Sequence, residues 1–184
     1  LTFDEILTKG DVDFKRLTCV AAVSYDLAPG VYALETIEPY EFRYLKIQML
    51  EGEVEFDKVF LRELANPDAG AAVFDCDDPA MNQIFEAGRN TFRQNATDIF
   101  MDCPSRERAG WLCDSFFIGR VASDLCGDTR MEKMFMQNFL LPPKFDCLPD
   151  GMLPMCYPSD HNDGVFIPNW AMWFVIQLDE YLQR

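Results

Sequence analysis

The hydrophobic pattern of the chain changes near residue 66, and this change constrains the fold more than any other feature. Before it, short runs of β-branched and aromatic residues are separated by turn signals such as Glu51-Gly52. Strands are predicted at residues 18–25, 31–37, 43–50 and 54–64. This half of the chain therefore predicts antiparallel β structure, part of a β-sandwich over residues 1–72.

In the second half, apolar residues recur at helical spacing. Helices are predicted over residues 79–96, 111–125, 129–140 and 168 to the end. Pro79, which follows two aspartates, marks the first helix start. A long loop rich in proline and glycine, residues 141–168, precedes the last helix. Helices joined alternately by tight turns and long loops suit an α/α toroid, and a plain helical bundle fits this pattern equally well.

The charge balance excludes two classes of partner. The 184 residues carry 31 acidic and 16 basic side chains, a formal net charge of −15. Nucleic acids and anionic membranes would be repelled, whereas a neutral sugar is compatible with this charge. Plain surface solubility would also explain the excess acid. No run of 18 apolar residues occurs, so no membrane span is predicted.

The two ends of the chain predict an internal piece of a longer protein. No signal-like segment follows Leu1, and the chain stops directly after an apolar periodic stretch. The remainder of a parent chain is therefore an expected partner. The compartment stays open, with the cytoplasm or periplasm of a bacterium expected.

The seven cysteines are scattered, and no pair has CxxC spacing. With His161 as the only histidine, neither a structural zinc site nor any other metal or cofactor is predicted. An odd number of cysteines predicts mostly buried, reduced thiols, with one disulfide left open.

Residues 102–114, DCPSRERAGWLCD, form the densest polar segment of the chain. A glycosidase needs a carboxylic acid that protonates the leaving oxygen, and side chains that hold the sugar. Three acids and a tryptophan within one loop supply both. The alternative is a surface loop whose acids pair with Arg106 and Arg108 and cap the next helix.

The order Asp-Cys-Pro-x-Arg-Glu-Arg-x-Gly-Trp-x-x-Asp closely resembles the motif of the α-L-rhamnosidases, glycoside hydrolase family 78. Residues 42–45, 74–91 and 149–154 also resemble segments of that family, so the likeness covers about residues 30–184. It implies a mixed fold in which the β-sandwich portion precedes the first helices of an (α/α)6 toroid. The N-terminal part of the catalytic domain would occupy residues 73–184, about the first third of the toroid.

The resemblance implies roles for the three acids of the loop. Glu107 occupies the position of the general acid, and Asp102 and Asp114 match carboxylates that bind rhamnose hydroxyls. In an extended backbone, Arg106 and Arg108 would point away from Glu107. Glu107 would then face the two aspartates, whose negative charges favour its protonated form.

Other residues are expected to border the sugar. Trp111 matches the tryptophan of the motif, and Arg108 either orients the acids, binds substrate or forms a structural salt bridge. Trp170 is a candidate aromatic wall, as is Trp173, although tryptophans at such positions more often belong to the core. Three polar residues of the long loop stay outside the catalytic set: Asp160, His161 and Asp163.

The family implies an inverting glycoside hydrolase that removes terminal α-L-rhamnose from glycosides or polysaccharides. In that family the carboxylate base lies later in the sequence than this chain reaches, and Glu180, the only substitute, has an ordinary helix position. The fragment alone is therefore expected to be inactive. A related toroid glycosidase for another sugar and a non-catalytic carbohydrate-binding fragment are the alternatives. Open helical faces also leave a homo-oligomer possible.

Overall fold

The computed structural model describes residues 1–159 and 164–184. The chain divides into two compact units, residues 1–63 and 64–184. The loop residues Asp160, His161 and Asp163, predicted to stay outside the catalytic set, lie outside the described residues.

The first unit contains four short strands in two antiparallel sheets. They are β1 (Thr2–Asp4), β2 (Leu7–Thr8), β3 (Asp11–Val12) and β4 (Tyr44–Lys46). β1 pairs with β4, and β2 forms a hairpin with β3. The hairpin turns through Lys9 and Gly10, whose φ angles are 55° and 84°. Two consecutive positive φ angles give the turn whose twist matches a two-residue hairpin loop.

Strand formation in this unit is only partly as predicted. The predicted strand 43–50 contains β4, and residues 18–25 contribute a single bridge, between Ala22 and Thr2. The strand β1 was not predicted. It forms because Phe3 is buried against two aromatic rings, with ring centroids 4.6 Å from Tyr40 and 5.5 Å from Phe42.

The predicted strands at residues 31–37 and 54–64 are wrong, because both segments form no strand. Their apolar side chains find no layer to pack on, and Val31 and Ile37 are fully exposed. β-branched residues favour a strand mainly through packing on a neighbouring surface. The two small sheets do not by themselves make the sandwich, which stays a prediction.

The second unit contains the four predicted helices, each confirmed to within one residue at both ends. They are α1 (Pro79–Asn95), α2 (Leu112–Cys126), α3 (Arg130–Leu140) and α4 (Pro168–Gln183). The carboxylate of Asp78 caps α1 by accepting the Ala80 backbone N–H at 2.9 Å. Gly127, with φ of 73°, ends α2 in the left-handed conformation. In the described part of the chain, no helix is long and apolar enough to cross a membrane.

Apolar side chains from all four helices and the α1–α2 loop, many of them aromatic, form the main core of this unit. The largest buried members are Phe92, Phe100, Leu112, Phe135, Phe139 and Phe174. The ring centroids of Phe100 and Phe135 are 5.4 Å apart, as are those of Phe139 and Phe174. Because Leu112 belongs to this core, the core holds the start of α2, which contains the last residues of the polar segment 102–114.

A polar network is buried between α2, α3 and α4. Ser115, Glu132 and Gln177 are each at most 1% exposed. The Gln177 side chain donates to Glu132 Oε1 at 3.3 Å and accepts from Ser115 Oγ at 3.2 Å. Arg184 donates to both Glu132 oxygens, at 2.6 and 2.7 Å. Burial raises the pKa of Glu132, and the Arg184 guanidinium opposes that rise. Because a buried carboxylate needs such partners, the network fixes how the three helices pack.

All seven cysteines are described and reduced. Only Cys156 is buried, and Cys147 is exposed, so the prediction that most thiols are buried is wrong. In the second unit, large aromatic rings fill the space that thiols were expected to occupy.

Substitution by alanine is expected to have opposite effects at two helical glycines. A Cβ at Gly119 would lie 2.7 Å from Gln177 Nε2 and 2.8 Å from Glu132 Oε1, whereas a Cβ at Gly88 meets nothing within 4 Å. We expect Gly119→Ala to destabilise the protein by about 1–3 kcal/mol through overpacking. Gly88→Ala should stabilise it by about 1 kcal/mol through helix propensity. Urea unfolding of both variants measures this, and destabilisation by Gly88→Ala or none by Gly119→Ala would contradict it.

Candidate active site

The polar segment begins in the loop between α1 and α2, which closes on itself at Asp102 and Ala109. The Asp102 backbone N–H donates to the Ala109 carbonyl at 3.1 Å. The Ala109 N–H donates back to Asp102 Oδ1, also at 3.1 Å. Residues 103–108 therefore project as a loop with fixed ends. Asp102 has a structural function in addition to any contact with substrate.

Inside the loop, residues 104–107 form a turn. The Cys103 sulfur accepts the Glu107 backbone N–H at 3.4 Å, and Arg106 forms an ion pair with the Glu107 carboxylate. The predicted extended backbone around Glu107 is wrong, because residues 104–107 turn. The Arg106 side chain therefore contacts the Glu107 carboxylate instead of pointing away from it. Arg108 follows the turn with φ of 50° and is partly buried.

The end of the loop pairs with the long segment after α3. The Tyr157 N–H donates to the Gly110 carbonyl at 3.1 Å, and the Leu112 N–H donates to the Met155 carbonyl at 3.0 Å. A Cβ at Gly110 would lie 2.6 Å from the Tyr157 carbonyl oxygen and 2.9 Å from the Phe135 ring. The position therefore admits only glycine without movement of the backbone. This contact was not predicted from the sequence. The glycine of the Gly110-Trp111 pair was the available signal for a close backbone approach.

Asp114 lies in the first turn of α2, where the helix dipole favours a negative charge. Burial nevertheless raises its pKa, and the negative charges of Asp102 and Glu107 raise it further. Asp102 and Glu107 therefore lie within electrostatic range of Asp114. Burial also raises the pKa of the Cys113 thiol, with Asp114 adding to the effect.

Two of the three tryptophans pack near the end of the loop. Trp111 and Trp170 both pack against a small buried cluster formed by Ala109, Met155 and Cys156. Since Ala109 closes the loop and Trp170 lies in the first turn of α4, the cluster connects the loop with that helix. Trp173 instead packs on α2, and its ring centroid is 4.7 Å from that of Phe116. Trp173 is partly buried, and Trp170 also packs against the main core.

Within residues 1–159 and 164–184, Glu180 of α4 forms an ion pair with Arg120 of α2 at 3.3 Å. This contact suits the ordinary helix position expected for it. Across the same ranges, no three histidine, cysteine, aspartate or glutamate side chains are grouped as they would be around a metal ion.

Comparison with known proteins identifies the family. The family model described as the bacterial alpha-L-rhamnosidase 6 hairpin glycosidase domain matches residues 69–184. A curated alpha-L-rhamnosidase from Formosa agariphila is 31% identical over 74 residues, which cover 40% of this chain and 8% of that relative. The chain thus spans only a small part of the relative's length. No solved structure matches it significantly. The family model includes the loop and all four helices, and the chain belongs to the bacterial alpha-L-rhamnosidase 6 hairpin glycosidase family.

Proposed function

We propose that residues 102–114 are the acid-catalytic and sugar-binding part of an inverting glycoside hydrolase that removes terminal α-L-rhamnose. The observation that carries this proposal is the partly buried Asp114 at the start of α2, whose pKa is raised first by burial and then by the negative charges of Asp102 and Glu107. Acidic groups perturbed in this way are more frequent at functional sites than elsewhere. Sugar hydroxyls suit such a site, because each can donate to a carboxylate.

In this proposal, Asp102 and Asp114 accept hydrogen bonds from the sugar hydroxyls. Asp102 is held by its hydrogen bond from the Ala109 N–H, and Asp114 by the rigid start of α2. Trp111 and Trp170 present apolar surface of the kind that packs on the C–H face of a sugar ring. Arg108, partly buried at the end of the turn, is proposed to border the substrate.

Glu107 is the proposed general acid. It transfers a proton to the glycosidic oxygen while the bond from that oxygen to the anomeric carbon breaks. Water attacks the opposite face of the anomeric carbon and loses its proton to a carboxylate base. That base belongs to a part of the catalytic domain outside these residues, just as α1–α4 would be the first helices of a larger toroid. Residues 73–184 are the proposed start of this domain.

The acid role predicts a dependence on the leaving group. In a protein that carries the whole catalytic domain, Glu107→Gln should lower turnover of poor leaving groups by roughly two to four orders of magnitude. Activated aryl rhamnosides should lose less, because their leaving oxygen needs little protonation. Steady-state rates on both substrate classes measure this. Glu86→Gln is the matched control, since Glu86 pairs with Arg89 on α1 and should leave both rates unchanged. Equal losses on both classes in Glu107→Gln would assign Glu107 to binding instead.

The binding role predicts weaker rhamnose affinity. Asp102→Ala and Asp114→Ala each remove charge-assisted hydrogen bonds that contribute on the order of 1.5–3 kcal/mol. Calorimetric titration with rhamnose measures the loss, and circular dichroism checks the fold. Asp98→Ala is the control, because Asp98 is exposed in the same α1–α2 loop.

The pH dependence of binding tests Asp114 separately. Its raised pKa means that acidification protonates it at a higher pH than its ordinary value of 3.8. Affinity that needs the ionised form should therefore decline on acidification while ordinary aspartates are still ionised. Asp114→Asn should abolish this decline.

For the affinity measurements, unchanged rhamnose binding in both Asp102→Ala and Asp114→Ala would leave the loop with a purely structural function.

The 184-residue chain on its own should hydrolyse no aryl α-L-rhamnoside. The mechanism needs a base at about 6.5–9.5 Å from the acid. Asp102 and Asp114 are assigned above to the sugar hydroxyls, and Glu180 forms an ion pair with Arg120. Apolar side chains on two helices are also uncovered, with Ile84 64% and Phe117 55% exposed, which favours association. Assay of the purified chain, with its oligomeric state measured by light scattering, decides this. Turnover that disappears in Glu107→Gln would show that a base lies within the chain, whereas rhamnose binding without turnover would suit a carbohydrate-binding fragment.

A further inference from the structure

Cys103 begins the turn that carries Glu107, and its side chain points back into that turn. Its sulfur accepts the Glu107 backbone N–H at 3.4 Å, a normal distance for a sulfur acceptor. The thiol is partly buried and forms no disulfide. The hydrogen bond spans four residues and closes the turn from inside.

The contact fixes the backbone of Glu107, from which the side chain extends. The ends of the loop are already held by the two hydrogen bonds between Asp102 and Ala109. Between those ends, the sulfur holds the Glu107 nitrogen, and the nitrogen is bonded to the Cα that directs the carboxylate. The ion pair with Arg106 is a weaker restraint, because the Arg106 side chain is 48% exposed and water screens its charge.

We propose that Cys103 is a positioning residue for Glu107, holding the carboxylate where it can reach the glycosidic oxygen. The proposal rests on the function proposed above for Glu107. An acid displaced by about 1 Å loses on the order of a hundredfold in rate, so a weak hydrogen bond can have a large kinetic effect. Cys103 itself contacts no substrate and takes part in no proton transfer.

The hydrogen-bond acceptor, rather than the thiol as such, is what the turn requires. A serine hydroxyl also accepts a backbone N–H, whereas alanine and valine do not. Valine fills the space of the thiol without accepting, and so separates packing from hydrogen bonding. Cys19→Ala is the matched control, since Cys19 is likewise partly buried but lies in the first unit.

The kinetic test uses the complete catalytic domain and two rhamnosides, one with a poor and one with an activated leaving group. Cys103→Ala and Cys103→Val should lower turnover of the poor substrate by about ten- to a hundredfold and that of the activated substrate much less. Cys103→Ser should recover most of the loss, and Cys19→Ala should match the unmodified enzyme. Should Cys103→Ala fail to fold, Cys103→Val gives the same comparison. Equal losses on both substrates, or no recovery with serine, would overturn the proposal.

A second measurement separates this proposal from the function on which it rests. The Glu107 amide proton, observed by NMR in the 184-residue chain, should exchange with solvent faster in Cys103→Val and at nearly the original rate in Cys103→Ser. Unchanged exchange in Cys103→Val would overturn the positioning role, whatever the kinetics. If Glu107→Gln itself shows no leaving-group dependence, the acid assignment fails instead, and the two failures are distinguishable.

Discussion

The close approach of Gly110 to the Tyr157 carbonyl is the constraint on which the candidate site depends. Without a Cβ at Gly110, the end of the loop can pair with residues 155–157. The pairing sets where α2 begins and brings Trp111 onto the cluster that Trp170 also contacts. A polar loop 45 or more residues away in sequence from its supporting segment would otherwise have no fixed position, because its own hydrogen bonds hold only its ends and its internal turn.

The electrostatics of the site follow from this packing. Asp114 is partly buried at the start of α2, and its pKa is raised first by that burial and then by Asp102 and Glu107. The helix dipole offsets part of this cost but not the mutual repulsion. The negative charges of Asp102 and Glu107 thus oppose the ionisation of Asp114. Buried Glu132 differs, because Arg184 and Gln177 satisfy its carboxylate within the fold.

The sequence predicts those features that depend on neighbouring residues. The helices have local signals, such as Asp78 before Pro79, and the acids of the site lie in one contiguous motif. The strands 31–37 and 54–64 failed because strand formation depends on a partner layer that local composition does not reveal. The turn at residues 104–107 was missed for a related reason, since the Cys103 hydrogen bond that closes it has no composition signal. The network joining Ser115 to Gln177, 62 residues apart, was likewise beyond local inference.

The ion pair between Arg106 and Glu107 is compatible with an acid role because of where each side chain lies. Arg106 is 48% exposed, so water already screens its charge, and little is lost when the pair separates. Glu107 is 21% exposed and is held by its backbone rather than by the arginine. A sugar that enters beside Trp111 would displace water from the acids and leave the Arg106 side chain free to turn toward solvent. The turn would keep its shape when this ion pair separates. The hydrogen bond to Cys103 and those between Asp102 and Ala109 involve neither the Arg106 guanidinium nor the Glu107 carboxylate. The hydrogen bond to Cys103 therefore positions Glu107 independently of the Arg106 charge that pairs with its carboxylate when no sugar is bound.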